Sequence, residues 1–542
     1  SVALKEEKAG PRVGLPERLN LQKLNEMIGS LLSASDEVAL RLVCSTADFC
    51  DVVSVGLNDV QKPVMDKVED YWLFEQVFQR SVFRILREAS DQFCHPVATY
   101  AFNVYIAACT QFKLCLIHDN ATMGFTRFSA SERLKESFID AVPGSEDMLY
   151  QSVFDRYYRT GGVRFAELRI APKEPGAMVR LKDKLDKANE KTYRRYREQN
   201  GNARRIEYRL VVHFIKGGEG VNVAQGCSRK GVQQAKNHRE MNALESLFSF
   251  SEWSKEYPAS IAGIDAANFE MRTRPEVFGP LYRRFRENIA SGYQIGCTYH
   301  VGEDFVTLCN GLRAIDESIE HLELSEGDRL GHATALGIDV GTYFQAKRSY
   351  VTSSLGEYVD DVAWMWRIIS ERKSDHVDVI LYLAHEFDTR IRELFGSLMQ
   401  ERAGQMEALA PPLLEDYLQA YDLRGDDPEL YRDFCDVPAV DEQWQVRRFP
   451  RSSCARSNAR ARALCNSYQF DECYKKSELA AVAVGADPRY LKAVRLAQEA
   501  LREKVAARGI TIEANPTSNR KISSVKHYIE VPLLRLNRRG LS

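Results

Sequence analysis

The feature that most constrains the fold is a change in sequence periodicity near residue 163. From there on, short β-rich apolar runs alternate with long helical patterns. The runs occupy residues 163–171, 208–215, 261–267, 295–303, 328–337 and 510–519. Strands that alternate with helices predict βαβ units and a parallel sheet. Because the first five runs follow one another closely, the pattern predicts an α/β fold of the TIM-type (β/α)8 barrel kind.

The stretches on either side of these runs have a helical pattern instead. Apolar residues recur at helical spacing within residues 20–160. The strand rhythm is lost again after Gly337 and returns only near Gly509. We therefore expect a helical amino-terminal region and a large, mostly helical insertion at 341–500, suited to a lid or an assembly surface.

Composition excludes several classes of protein. The 542 residues include 74 Lys and Arg against 76 Asp and Glu, so net charge does not favour nucleic acid or a membrane surface. There is no long apolar run for a transmembrane helix, and the first twenty residues lack the apolar core of a secretory signal. None of the 12 cysteines forms a CxxC pair. We expect a cytoplasmic protein without a membrane partner.

Polar residues with catalytic potential follow the predicted strands, where the loops of a barrel build an active site. His300 and Glu303 end one run, and His332 ends the next. An imidazole can ligate a metal while a nearby carboxyl group transfers a proton. Asp265 and Glu270 lie on the run before them. Taken singly, each also fits a structural role, since a lone histidine at a strand end is more often structural than catalytic.

Five motifs occur in the order seen in one known family. They are RFAELRIAP (164–172), IAGIDAANFE (261–270), HVGE (300–303), DRLGHA (328–333) and EANPTSN (513–519). These resemble, in turn, the VEVRFSP, IDLAGxE, HAGE, RIGHG and CPTSN motifs of the adenosine and AMP deaminases in the amidohydrolase superfamily. The resemblance implies a metal-dependent hydrolase barrel, with strands 2–6 in 161–340 and strand 7 in 501–542. It also places the first strand, with the helical region, in 1–160.

The resemblance implies the roles of several residues. In this family a zinc-bound water attacks C6 of adenine, and ammonia leaves. His300 would be a zinc ligand, and Glu303 would protonate the ring nitrogen. His332 would orient or deprotonate the water. Asp265 and Asn268 would contact substrate, with Asn268 at a position where the family has glycine.

One stretch points to a subgroup of that family. Residues 300–338 are most similar to the deaminase subunits of bacterial RADAR antiphage systems. This similarity implies a role in antiphage defence, a large homo-oligomer and a partner ATPase. The substrate would be adenosine, an adenine nucleotide such as ATP, or an RNA adenine.

The sequence departs from the family in two places. No two histidines lie two residues apart, and the best counterpart of the family's HxH pair, within 15–25, has Asn20 and Gln22 there. Neutral amides are weaker zinc ligands than imidazole. His118 is an alternative donor. The eighth strand, whose DDP motif supplies another ligand, is expected beyond residue 542 and so missing from this chain. A catalytically inactive barrel that acts as an assembly subunit is therefore the alternative hypothesis.

A cluster of arginines predicts a possible phosphate or RNA contact. Its members include Arg447, Arg448, Arg451 and Arg456. Such a cluster can hold the phosphates of RNA or of ATP. The alternative is a solvated basic loop.

Overall fold

The structure, a computed structural model, describes most of the chain after residue 145. The described residues are 145–199, 201–289, 295–372, 376–401, 410–432, 454–516 and 518–519, with short helical segments between 79 and 110. The chain divides into two compact units, 1–117 and 118–542. In the first unit only those helical segments are described, so the strands and sites below all belong to the second. Asn20, Gln22, His118, Arg447, Arg448 and Arg451 lie outside the described residues.

Eight strands lie within the described part of the chain. They are β1 (Phe165–Ile170), β2 (Glu207–Lys216), β3 (Ile261–Asn268), β4 (Gly296–Val301), β5 (Arg329–His332), β6 (Tyr350–Ser354), β7 (Ala481–Gly485) and β8 (Thr511–Glu513). Six of them form one parallel sheet in the order β1-β2-β3-β4-β5-β8. Because this order follows the chain, successive strands are neighbours, as they are in a (β/α)8 barrel.

Helices separate the strands. They are α1 (Ser145–Thr160), α2 (Pro175–Gln199), α3 (Gly231–Ser249), α4 (Ser251–Glu256), α5 (Gly279–Asn288), α6 (Leu308–His321), α7 (Val340–Ala346), α8 (Leu355–Ser370), α9 (Val377–Glu401), α10 (Leu414–Leu423), α11 (Ala459–Phe470), α12 (Glu472–Ser477) and α13 (Pro488–Ala507). Short 3-10 turns occupy Pro275–Phe278, Thr334–Leu336, Pro428–Tyr431 and Ala455–Ser457. No helix in these described stretches has the length and apolar character needed to span a bilayer.

Side-chain contacts across the sheet show that it curls. Arg169 on β1 donates a hydrogen bond to Glu513 on β8, although these strands lie at opposite ends of the strand order. Arg329 on β5 likewise reaches Glu167 on β1, with 2.6 Å between Nη2 and Oε2. A flat sheet would hold these pairs several strand spacings apart. The six strands therefore form part of a barrel, which confirms the predicted parallel α/β fold.

The core lies between the strands and their helices. On β2, Leu210, Val211 and Val212 are all fully buried, as expected for a parallel strand covered on both faces. On α6, Leu312 and Ile319 are also fully buried. Each such side chain contributes about 1.5–3 kcal/mol by leaving water. This packing makes the strand ends a rigid platform for the loops that follow them.

The segment between β5 and β8 carries helices α7 to α13 and the antiparallel pair β6 and β7. A buried ion network ties it to the barrel. Arg313 on α6 donates to Glu317 on its own helix at 2.9 Å and to Asp361 on α8 at 2.7 Å. All three side chains are almost completely buried. Removal of one partner from such a network typically costs about 3–5 kcal/mol, so the insertion is firmly joined to the barrel.

Candidate active site

A glycine turn at the end of β4 brings Glu303 over the sheet. Gly302 has φ +78°, a conformation that L side chains rarely adopt. A Cβ at this position would also meet the Ile315 side chain at 2.6 Å. Glycine is therefore required for both backbone conformation and space. The Glu303 side chain that follows is buried.

The end of β5 lies against His300. A Cβ on Gly331 would meet Cγ of the His300 ring at 2.6 Å, so only glycine leaves room for that ring. The next residues, His332 and Ala333, have φ +66° and +44°. Left-handed backbone at non-glycine residues is strained and is often found at functional sites. The two histidine rings lie with their centroids 4.9 Å apart.

Glu303, His332 and Asn519 form a triangle of close polar contacts, in which Asn519 makes the two hydrogen bonds. Asn519 Nδ2 lies 2.6 Å from Glu303 Oε1 and 3.0 Å from His332 Nδ1. Because an amide nitrogen only donates, Nδ1 accepts and the imidazole proton resides on Nε2. Nε2 in turn lies 3.1 Å from Glu303 Oε2. Ser518 Oγ adds a longer contact of 3.4 Å to the carboxyl group.

Burial decides the charge state of this triangle. It raises the pKa of Glu303 to about 8, an effect to which the nearby Glu270 adds. Burial also lowers the pKa of His332 to about 3, with His300 acting in the same direction. At neutral pH both groups are therefore mostly uncharged. A protonated carboxyl group beside a neutral imidazole is an arrangement suited to general acid–base catalysis.

Glu270 holds the loop that carries Glu303. Its Oε2 accepts the backbone N–H of Glu303 at 3.1 Å and that of Asp304 at 3.3 Å. Burial raises the pKa of Glu270, and the charge of Lys216 opposes that rise. Lys216, itself almost fully buried at the end of β2, donates to the His300 carbonyl oxygen. A cavity of about 260 Å³ adjoins these groups. Two strand ends are thus joined beneath the candidate acid.

Asp265 orients His300 from the neighbouring strand. Its Oδ1 lies 2.9 Å from His300 Nδ1, and its Oδ2 accepts from Arg169 Nε at 2.7 Å. Asp265 is fully buried, yet His300 and Arg169 together hold its pKa below the usual range despite the opposing effect of burial. A carboxylate on Nδ1 fixes the ring and leaves Nε2 facing away from it. His300 Nε2 makes no hydrogen bond within the described residues.

Asn268 ends β3 in a strained conformation. Its φ is +98°, and its buried side-chain oxygen Oδ1 has no hydrogen-bond partner among the described residues. An unsatisfied buried acceptor costs free energy, commonly about 1–3 kcal/mol. Such a group can be satisfied by a hydrogen-bond donor of a ligand.

The described residues do not complete a metal site. His300 and His213 each have an Nε2 without a partner among them, and their rings lie 6.3 Å apart. Yet no three His, Cys, Asp or Glu side chains of the described stretches are arranged to hold a metal ion. Asn20 and Gln22, at the expected HxH positions, lie outside those stretches. Within the described stretches, the two imidazoles alone do not make up the donor set of a zinc ion.

The structure thus brings His300, Glu303, His332 and Asp265 together at neighbouring strand ends. Arg456 lies elsewhere, with Nε and Nη2 paired to both carboxylate oxygens of Asp426 at 2.9 and 2.7 Å. Sequence reasoning assigned no role to Arg169, Ser518 or Asn519. The last two belong to the EANPTSN motif, so that motif was the available signal for them. Arg169 sits in the first motif, where only its strand was recognised.

Comparison with known proteins adds little. The chain matches no family model and no curated protein. Among solved structures it is similar to an adenine deaminase from Arthrobacter aurescens, at 17% identity and a TM-score of 0.25. The match covers 40% of this chain and 53% of that one, so it spans about half the length of that enzyme. A likeness this low carries no argument about function.

Proposed function

We propose that this chain is a hydrolytic deaminase that acts on the adenine of adenosine or of an adenine nucleotide. One observation carries the proposal. Glu303, an acid that burial keeps protonated, shares a triangle of close polar contacts with His332 and Asn519 at the ends of neighbouring strands. The motifs around these residues resemble those of adenosine and AMP deaminases.

The chemistry needs a proton donor and an oriented water. Glu303 donates its proton to a ring nitrogen of the adenine, which makes C6 electron-poor. Neutral His332 orients the water that forms the new C6–O bond. As the water adds, it returns one proton to the Glu303 carboxylate, and its second proton passes to the amino group, which leaves C6 as ammonia when the C6–N bond breaks. The adenine becomes hypoxanthine. Asn268, with its free acceptor, is a candidate contact for the base.

A turnover assay tests the proposal. We would incubate the full chain with adenosine, AMP and ATP, with and without added zinc, and follow the conversion of adenine to hypoxanthine. Glu303→Gln removes the acid and keeps its size, and it should lower turnover by about 10²–10⁴-fold. Glu256→Gln, an exposed glutamate on α4, is the matched control and should leave turnover unchanged. Absence of turnover with every substrate, with or without zinc, would reject the proposal.

An inactive assembly subunit is the second candidate. It is favoured by the absence of a complete metal site among the described residues and by apolar side chains exposed on the insertion. Val377 and Leu381, one turn apart on α9, are 59% and 64% exposed. We propose a homo-oligomer, a partner ATPase and a role in antiphage defence both for an active deaminase and for an inactive assembly subunit. Light scattering tests the oligomer: a large assembly without turnover would favour this candidate.

RNA binding stays a prediction. Arg447, Arg448 and Arg451 lie outside the described residues, and Arg456 is engaged by Asp426. Steep salt dependence of RNA binding, lost when the three arginines are replaced by alanine, would support it. Binding that ignores these changes would remove it.

A further inference from the structure

A second cavity, small and partly open to solvent, lies where α3 begins. The loop after β2, the 3-10 turn after β3 and the insertion enclose it together. Its polar lining comes from Arg229, Lys230, Gln234, Glu276, Arg424 and Gln469. Because loops that follow barrel strands lie on one face, this cavity is on the same face as the candidate active site.

Several positively charged side chains lie close together around Lys230. Lys230 Nζ donates to the carbonyl oxygen of Glu219 at 2.7 Å and makes no ion pair within the described residues. Burial lowers its pKa to about 8, and the charge of Arg229 contributes to that fall. The pKa of the buried Lys475 is also lowered to about 8, mainly by burial and secondly by the charge of Arg229. An anion here would relieve the repulsion among these cations.

The two guanidinium groups of the lining are held rigidly. Arg229 and Arg424 each lie 3.7 Å from the centroid of the Tyr468 ring. Arg229 also pairs with the buried Glu478, and Arg424 Nη1 donates to Asp360 at 2.7 Å. A guanidinium has five N–H donors, so each retains donors after these contacts. Side chains fixed in this way lose little entropy when they bind a ligand.

Neutral donors complete the lining. Gln469 is 4% exposed, and its side-chain amide makes no hydrogen bond with the described residues. Gln234 Oε1 accepts from Ser228 Oγ at 2.8 Å, which leaves its amide nitrogen for the cavity. The 19-residue helix α3 starts here without a side-chain cap at Lys230. The amino-terminal end of a helix favours a negative charge.

The one carboxyl group in the lining is compatible with an anion. Glu276 Oε1 accepts a hydrogen bond from Tyr468 at 2.8 Å. Burial raises the pKa of Glu276 to about 7, against the opposing charge of Arg424. Near neutral pH a large share of Glu276 is therefore uncharged and able to donate a proton to a bound oxygen.

We propose that this cavity binds a phosphoryl group, either free or as part of a nucleotide. Donors converge on it from guanidinium, ammonium and amide groups, the set that recognises tetrahedral oxyanions. The site does not depend on the proposed deaminase activity.

Calorimetric titration of the full chain with inorganic phosphate, at constant ionic strength, tests the site. Lys230→Gln and Gln469→Ala should each weaken phosphate binding at least tenfold. Lys255→Gln, an exposed lysine on α4 outside the cavity, should leave the Kd unchanged. Circular dichroism and thermal melting confirm that the variants fold. Failure of the parent chain to bind phosphate, or equal binding by parent and both variants, would overturn the proposal.

Competition with AMP and adenosine identifies the source of the phosphoryl group. Displacement of phosphate by AMP and not by adenosine would show that the site takes the phosphate of a nucleotide. Phosphate binding that neither compound affects would show a site for the free anion. In both cases Lys230→Gln should weaken phosphate binding at least tenfold, because binding that is unchanged in this variant belongs to another site.

Discussion

Glu303 Oε2 lies 3.1 Å from His332 Nε2, yet the two side chains do not form an ion pair at neutral pH. Burial disfavours the charged form of each: the pKa of the carboxyl group is raised to about 8 and that of the imidazole is lowered to about 3. Asn519 donates to both and holds them in register. The site is therefore built around a neutral acid, and five predictions follow from that and from its surroundings.

The pH profile of activity should report Glu303. The group acts as an acid, so it is competent when protonated, below its pKa of about 8. We expect kcat/KM for adenosine to be steady from about pH 5 to 7 and to fall about tenfold per pH unit above 8. His332 stays neutral throughout that range. A rate that holds constant to about pH 9.5 would contradict the assignment of Glu303 as the acid.

The pH dependence of the free energy of unfolding should report the raised pKa of Glu303 without any activity assay. The folded-state pKa of Glu303 lies above the unfolded value of about 4.3, so the folded state binds the extra proton between these two pH values. Stability from this group thus falls as pH rises from about 4.3 to 8. Glu303→Gln cannot ionise and so does not lose this stability. The difference in free energy of unfolding between the variant and the parent should therefore be about 3–5 kcal/mol larger at pH 8.5 than at pH 4, in favour of the variant.

Urea unfolding at both pH values measures that difference. Glu256→Gln, exposed on α4, serves as the control and should follow the parent at each pH. If Glu303→Gln tracks the parent as well, the buried acid is not protonated in the folded protein.

Asn519→Ala should lower activity and move the pH profile. It removes the donor shared by Glu303 and His332, a loss of about 1–3 kcal/mol for each buried group left unsatisfied. We expect kcat to fall about 10–100-fold. Because this hydrogen bond opposes the rise in the Glu303 pKa, its loss should shift the descending limb to higher pH. Asn288→Ala, an exposed asparagine on α5, should change neither quantity; a lower rate with an unmoved limb would make Asn519 merely structural.

Gly331→Ala should displace the His300 ring. The added methyl group would lie 2.6 Å from the ring, so the side chain or the β5 backbone has to move. Overpacking of this kind costs about 1–3 kcal/mol, and activity should fall with the loss of stability. Gly396→Ala on α9 meets nothing within 4 Å and should be neutral or stabilising. Thermal melting of the two variants provides the comparison, and equal melting temperatures would contradict the packing described here.

Arg169→Met should destabilise the barrel strongly. The change leaves Asp265 buried without its arginine and removes the link to Glu513 across the curled sheet. Loss of one partner from a buried pair costs about 3–5 kcal/mol. Arg194→Met breaks an exposed pair with Glu190 and should change the free energy of unfolding by less than about 1 kcal/mol. Urea denaturation of both variants measures the contrast, and similar losses would show that the buried pair contributes no more than a surface one.

The predicted strands carry most of the site because the position of a strand and the polar residue at its end are local information. The runs at 295–303 and 328–337 predicted adjacent strands with polar ends, and the structure pairs Val301 with His332 in parallel register. A short apolar run that stops at a polar residue marks where a strand covered on both faces ends. That is why His300, Glu303 and His332 could be named from the sequence. Their catalytic roles remain proposals.

The sequence by itself determined which residues end the barrel strands and what chemistry those side chains offer. Only the tertiary structure decided that Arg169 reaches Glu513, that Asn519 closes the triangle with Glu303, and that a cavity forms beside Lys230. Each of these contacts joins residues far apart in the chain, across a curled sheet or between barrel and insertion. Local sequence patterns do not predict such long-range contacts. Burial sets the charge of Glu303, and it arises only when the chain has folded around that side chain.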